Sequence, residues 1–124
     1  MNDSRPCGSI DLMTAQSLTV SGGATPSVTS SRVETGKLSR LIVYAANSGA
    51  STSVTVNVYG SPTSTSLRKI LLATLTLAAA VGSVAYEAGN YIASDAIPSH
   101  VYAVATNADA ANTASITVTL DRYR

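Results

Sequence analysis

Hydrophobic and polar residues alternate with a period of two over much of the chain, the pattern of strands with one buried and one wet face. The clearest run is Ser53 to Tyr59, where Val54, Val56 and Val58 alternate with Thr55, Asn57 and Tyr59. The chain closes on the same pattern, with Ile116, Val118 and Leu120 on one face and Thr117, Thr119 and Asp121 on the other. Leu38 to Ala46 precedes Asn47-Ser48-Gly49, a cluster suited to side-chain-to-backbone turn bonds, so residues 38–59 predict a hairpin. His100 to Thr106, a polar loop over 107–112 and the last strand predict a second hairpin of the same form. Val43-Tyr44-Ala45 in the first matches Val101-Tyr102-Ala103 in the second, an echo that any sandwich repeating its hairpins would produce.

Further strands are predicted over Gln16 to Val20, Ser27 to Glu34 and Ser83 to Glu87, each followed by a glycine-containing turn, the last of them at Gly89-Asn90. Arg68 to Ala80 fits both a helical stripe and a strand face. Thr74 and Thr76 at alternate positions, the lack of a capping box and the strands on either side favour the strand. The predicted fold is all-β: a two-layer antiparallel β-sandwich of seven to eight strands, jelly-roll or immunoglobulin-like in topology. Residues 16–124 make its single domain. Residues 1–15 show little regular pattern and predict an N-terminal arm, with Ile10, Leu12 and Met13 ordering against a neighbouring subunit.

Composition narrows the chemistry. The 124 residues include 19 Ala, 18 Ser and 15 Thr, with no Phe or Trp and only 12% charged residues, so the surface is built from hydroxyls and methyls. At 45% hydrophobic the sequence can fill one core. A net charge of +1 gives no field to draw the domain onto nucleic acid or an anionic membrane. Asp3, Arg5 and Asp11 interrupt the first residues, so no secretory signal is expected there, and Ile70 to Val81 is too short to cross a bilayer as a helix.

No catalytic constellation, cofactor or metal cluster is expected. His100 is the single histidine, with Ser99 beside it expected on the opposite face, and Cys7 is the single cysteine, without a partner for a disulfide or a Cys-x-x-Cys motif. The seven acids are scattered, and Asp95 could meet Glu87 or Asp109 only by folding. Asn107, Asp109 and Asn112 offer oxygen ligands, but turn-forming Asx residues account for them with one carboxylate. Six tyrosines are the only aromatics, large and amphipathic enough for packing, protein interfaces or sugar stacking. Tyr59 and Tyr91 join Ile10, Leu12 and Met13 as expected subunit contacts.

Glu87 to Tyr91, then Ile97-Pro98-Ser99-His100 running into Val101 to Asn107, then Ala110 to Leu120, together resemble small β-sandwich structural proteins of tailed-bacteriophage virions. The shared elements are a turn and a proline before a strand ending in Ala-Thr-Asn, a short Ala/Asp/Asn loop and a Thr/Val-alternating last strand. The resemblance covers about the last 40 of the 124 residues and implies a head decoration, or cement, protein without catalysis. It implies a place on the outer capsid surface after synthesis in the host cytoplasm, with the major capsid protein and copies of itself as partners, as a trimer or other homo-oligomer. The alternative is a carbohydrate- or receptor-binding module of a tail fibre, in which Tyr59, Tyr86 and Tyr91 would line a shallow site.

Overall fold

The computed structural model describes residues 6–20, 25–35, 40–65, 67–93 and 97–123. Their strands are β1 (Pro6–Leu18), β2 (Ser27–Thr29), β3 (Val33–Glu34), β4 (Arg40–Asn47), β5 (Val54–Ser61), β6 (Ile70–Leu77), β7 (Tyr86–Ala93), β8 (His100–Asn107) and β9 (Ala114–Tyr123). One sheet has the order β1-β9-β4-β7 and the other β2-β8-β5-β6, with β3 also pairing β8. Every pairing is antiparallel.

Because β2 and β3 both lie along β8, they act as one interrupted strand and leave eight positions, four in each sheet. Apart from β2–β3 and the β5–β6 hairpin, each connection passes from one sheet to the other. This is the double Greek key of a jelly roll, which decides between the two expected topologies. Ile70–Leu77 is a strand, as the alternating threonines indicate.

The expected hairpins are corrected to arches: β4 and β5 lie in opposite sheets, as do β8 and β9. Two half-buried strands joined by a polar loop have the same sequence pattern whether they pair with each other or face each other across a core. The predicted turn at Gly89-Asn90 lies inside β7, where Gly89 pairs with Tyr44. A Cβ on Gly89 would stand 3.2 and 3.3 Å from two carbons of the Tyr44 ring, so the ring takes the space a side chain would fill.

The expected arm is also corrected, because from Pro6 onward it is β1, paired along the length of β9 from Pro6↔Tyr123 to Leu18↔Ala114. Register shifts between Pro6 and Gly8, between Asp11 and Met13 and between Met13 and Gln16 break the strand's alternation. Gly8 and Ala15 adopt positive φ at these irregularities. Each bulge moves the following residues to the other face, so the sequence shows no period of two although the strand is present.

The core fills the space between the sheets with alternate residues of every long strand. Leu41, Val43 and Ala45 meet Ile116, Val118 and Leu120 on one side, and Val54, Val56 and Val58 meet Leu75, Leu77 and Val101 on the other. Met13 and Leu18 of β1 are buried in the same cluster, and Leu12 packs against it. Ala73, Ala103 and Ala105 are buried in the same cluster.

Candidate functional site

Asn107, Asp109 and Asn112, which offer oxygen ligands in sequence, are engaged with the chain itself. Asn47 and Asn107, the last residues of β4 and β8, are fully buried. Asn47 Nδ2 donates to the carbonyls of Ser51 and Ala78, each at 3.0 Å, while its Oδ1 accepts from the backbone N–H of Gly49 at 2.9 Å and of Ser115 at 3.2 Å. Asn107 Nδ2 donates to the carbonyls of Leu18 and Asn112, and its Oδ1 accepts from the N–H of Asp109 at 3.0 Å. Each side chain thus serves as the polar centre of an arch that the apolar core could not satisfy.

The Asp109 carboxylate accepts from the backbone N–H of Thr52 at 2.9 Å and of Ala111 at 2.8 Å, and from Asn112 Nδ2 at 3.2 Å. These bonds, led by the Thr52 N–H, hold its carboxyl well below the usual carboxylate range. The expected Asx-turn role of Asn107, Asp109 and Asn112 accounts for their contacts. Among the described residues no group of three or more His, Cys, Asp and Glu side chains converges as a metal site. Asp95 lies outside the described residues, and Cys7 lies on β1.

His100 is half-buried at the start of β8, with Nδ1 3.1 Å from Ser99 Oγ. The pair was expected on opposite faces, but Ser99 precedes the strand and strand alternation does not govern it. The Ser99 hydroxyl donates to the Pro62 carbonyl, so its proton ties two loops together.

Tyr59 and Tyr102 stack on the outer face of the β2-β8-β5-β6 sheet, with ring centroids 5.5 Å apart and planes at 27°. Arg32 lies over Tyr102 at 4.8 Å and Lys69 over Tyr59 at 4.6 Å, so two cations close the ends of the stack. Arg32 also donates through Nη1 to Ser61 Oγ at 2.9 Å and to the Thr63 carbonyl at 3.0 Å. Tyr59 thus packs within the chain while remaining half-buried. It stands on the opposite sheet from Tyr86 and Tyr91, so these three do not line one site. Tyr44 and Tyr102, expected to be matched, differ: Tyr102 is buried under Arg32, whereas Tyr44 is exposed.

Of the expected subunit contacts, Met13 is in the core and Leu12 against it, and Ile10 is half-buried in β1 opposite Leu120. Tyr91 is exposed on β7. It belongs to a flank that sequence reasoning missed. Among the described residues, every exposed large hydrophobic except Tyr44 falls between Leu67 and Tyr91. Leu67 is 95% exposed and Val81 80%, with Ile70, Leu71, Val84 and Tyr86 also open to solvent. These residues follow the side of the sandwich where the edge strands β6 and β7 run and the turn between them closes through the Val81↔Val84 bridge. A recess of about 280 Å³ between Arg68, Lys69, Ile70 and Pro98 opens beside it. The signal available in sequence is the apolar run from Ile70 onward, whose alternation fits a strand with one face in the core.

No protein-family profile and no characterised protein matches the sequence. Among solved structures, the fold is similar to a carbohydrate-binding module of Cellvibrio mixtus lichenase 5A, in complex with cellotriose, with a TM-score of 0.51 and 8% identity over 96% of this chain and 91% of that one. It is likewise similar to a chain of infectious bursal disease virus, Gx strain, with a TM-score of 0.50 and 12% identity over 98% of this chain and 38% of that one. The chain thus spans little more than a third of the viral chain. The PirA crystal structure aligns over 100% of this chain and 95% of its own with 11% identity and a TM-score of 0.46. At these identities the likeness is one of fold, a β-sandwich used by structural and binding modules.

Proposed function

We propose that this chain is a non-enzymatic virion structural protein, a capsid decoration protein that packs on the outside of a tailed-bacteriophage head and stabilises it. The observation that carries this reading is the apolar flank from Leu67 to Tyr91 beside the β6 and β7 edges. Solvent-exposed sheet edges lined by large apolar groups invite pairing unless a partner covers them. With a net charge of +1, attachment depends on buried aliphatic and tyrosine area rather than on electrostatic steering. The viral chain of similar fold and the resemblance carried by the last strands support a virion setting. On this reading the partners are the major capsid protein and further copies of the chain, as a trimer or other homo-oligomer, and Tyr91 is a contact. The protein is made in the host cytoplasm and works on the capsid surface.

The test mixes purified protein with capsids lacking it and measures co-sedimentation. Leu71→Ser combined with Val84→Ser strips the flank while leaving the core intact. The expected result is saturable binding by the natural protein and at least about tenfold weaker binding by the double variant, a loss of about 1.4 kcal/mol or more, with unchanged circular dichroism. Binding that ignores both changes, or no binding by the natural protein, overturns the reading.

A further inference from the structure

We infer that the outer face of the β7-β4-β9 sheet, which adjoins the proposed capsid contact at Tyr91, is a binding site for a neutral saccharide centred on Tyr44, a function beyond capsid attachment. The strand registers set four outward rows: Thr117, Ala46 and Glu87; Thr119, Tyr44 and Gly89; Asp121, Ile42 and Tyr91; and, at the far end, Tyr123, Arg40 and Ala93. Tyr44 stands at the centre. Its ring lies against Gly89, where the missing side chain gives it room, and it remains 45% exposed. A groove of about 300 Å³ opens beside it, lined by Tyr44, Ala46, Glu87, Thr117, Thr119 and Asp121. That volume is at the lower end of small-molecule sites, about 300–1,000 Å³.

The polar groups are arranged in complementary ways. Thr117 Oγ1 accepts the Ala15 N–H at 3.0 Å, which leaves its own proton to donate. Thr119 Oγ1 donates to Asp11 Oδ1 at 2.9 Å, which leaves its lone pairs to accept. Asp121 accepts from the Ser9 hydroxyl, so β1 braces this carboxylate at the end of the groove. The Asp121 and Glu87 carboxylates therefore sit at the groove with a donor, an acceptor and an aromatic ring between them. A sugar ring presents hydroxyls at its edge, which carboxylates accept strongly, and C–H groups on its face, which pack on tyrosine. Ala46 adds only a methyl and keeps the floor low. Among the described residues no lysine or arginine lines the groove, so the two carboxylates select against sialylated, sulfated or phosphorylated ligands.

The test applies the full chain to an array of neutral gluco-, galacto- and manno-trisaccharides beside sialylated and sulfated counterparts. Affinities for the best neutral trisaccharide are then measured by titration with amide chemical-shift mapping. The expected result is binding to a neutral member, with shifts at Tyr44, Thr117 and Thr119. Tyr44→Ala should weaken it at least about tenfold, which corresponds to about 1.4 kcal/mol, while Tyr44→Phe retains it. A preference for the charged glycans, undiminished binding by Tyr44→Ala, or no shift with any neutral trisaccharide at about 10 mM overturns the inference. If Tyr44→Ala alters the melting curve, the shift map of the natural protein decides by itself. Because the Leu71 and Val84 changes lie outside the groove, capsid attachment and sugar binding fail separately.

Discussion

Asn47 and Asn107 end equivalent strands and are joined through one residue: Asn47 Nδ2 donates to the Ser51 carbonyl at 3.0 Å, and the Ser51 hydroxyl donates to Asn107 Oδ1 at 2.6 Å. The two arches are therefore cross-tied at one end of the sandwich, with all three residues fully buried. Removing either amide strands buried carbonyls and N–H groups, each costing about 1–3 kcal/mol when unsatisfied. Asn47→Ala and Asn107→Ala should each lower unfolding stability by about 2–4 kcal/mol in a urea titration. Their double variant should lose less than the sum, because Ser51 is a shared partner.

The same arches carry a pH dependence through Asp109. Its carboxyl titrates lower in the folded chain than in the unfolded one, because the Thr52 and Ala111 N–H groups favour the charged form. The contribution is therefore complete above the unfolded value of about 3.9 and is lost as pH falls toward the folded value. Thermal melts should show natural protein more stable than Asp109→Asn at pH 7, with the gap closing below about pH 4.

β1 is expected to be structural. Met13→Ala should lose about 2–5 kcal/mol, as for other buried large-to-small changes. Deletion of residues 1–13 should lower the melting temperature further, since it uncovers the inner strand β9 along most of its length. Denaturant unfolding of both variants checks this, and a truncated chain as stable as the full one would show that β1 is dispensable.

Gly49 sits where a Cβ would meet the Thr113 carbonyl oxygen at 2.6 Å and the Ser115 nitrogen at 2.9 Å. These are backbone atoms of the neighbouring arch and cannot rotate away. Gly49→Ala should therefore be destabilising by about 1–3 kcal/mol, whereas Gly82→Ala meets open space and should show only the strain of its φ of 60°.

The strands with regular alternation were legible in sequence, as Val54, Val56 and Val58 and Ile116, Val118 and Leu120 illustrate. β1 was not, because its bulges place Leu12 and Met13 in succession against the core and interrupt the period. The sequence predicts hairpins where the fold has arches because inward alternation records which face is buried and not which strand lies alongside. The groove around Tyr44 was hidden for a related reason. Thr117, Ala46 and Glu87 become neighbours only through the registers of β9, β4 and β7, and Gly89 carried the signature of a turn. The flank was obscured because Ile70, Leu71 and Val81 have the composition of core residues, yet Ile70 and Leu71 lie at the start of the edge strand β6 and Val81 in the turn that follows it.

The most direct test of the decoration reading is cryo-electron microscopy of capsids lacking the protein, with and without the purified chain. The account predicts added density at regular lattice positions, with the Leu67 to Tyr91 flank turned into protein contacts and Tyr91 covered. Empty lattice positions at saturating protein, or occupied positions with that flank facing solvent, would contradict it.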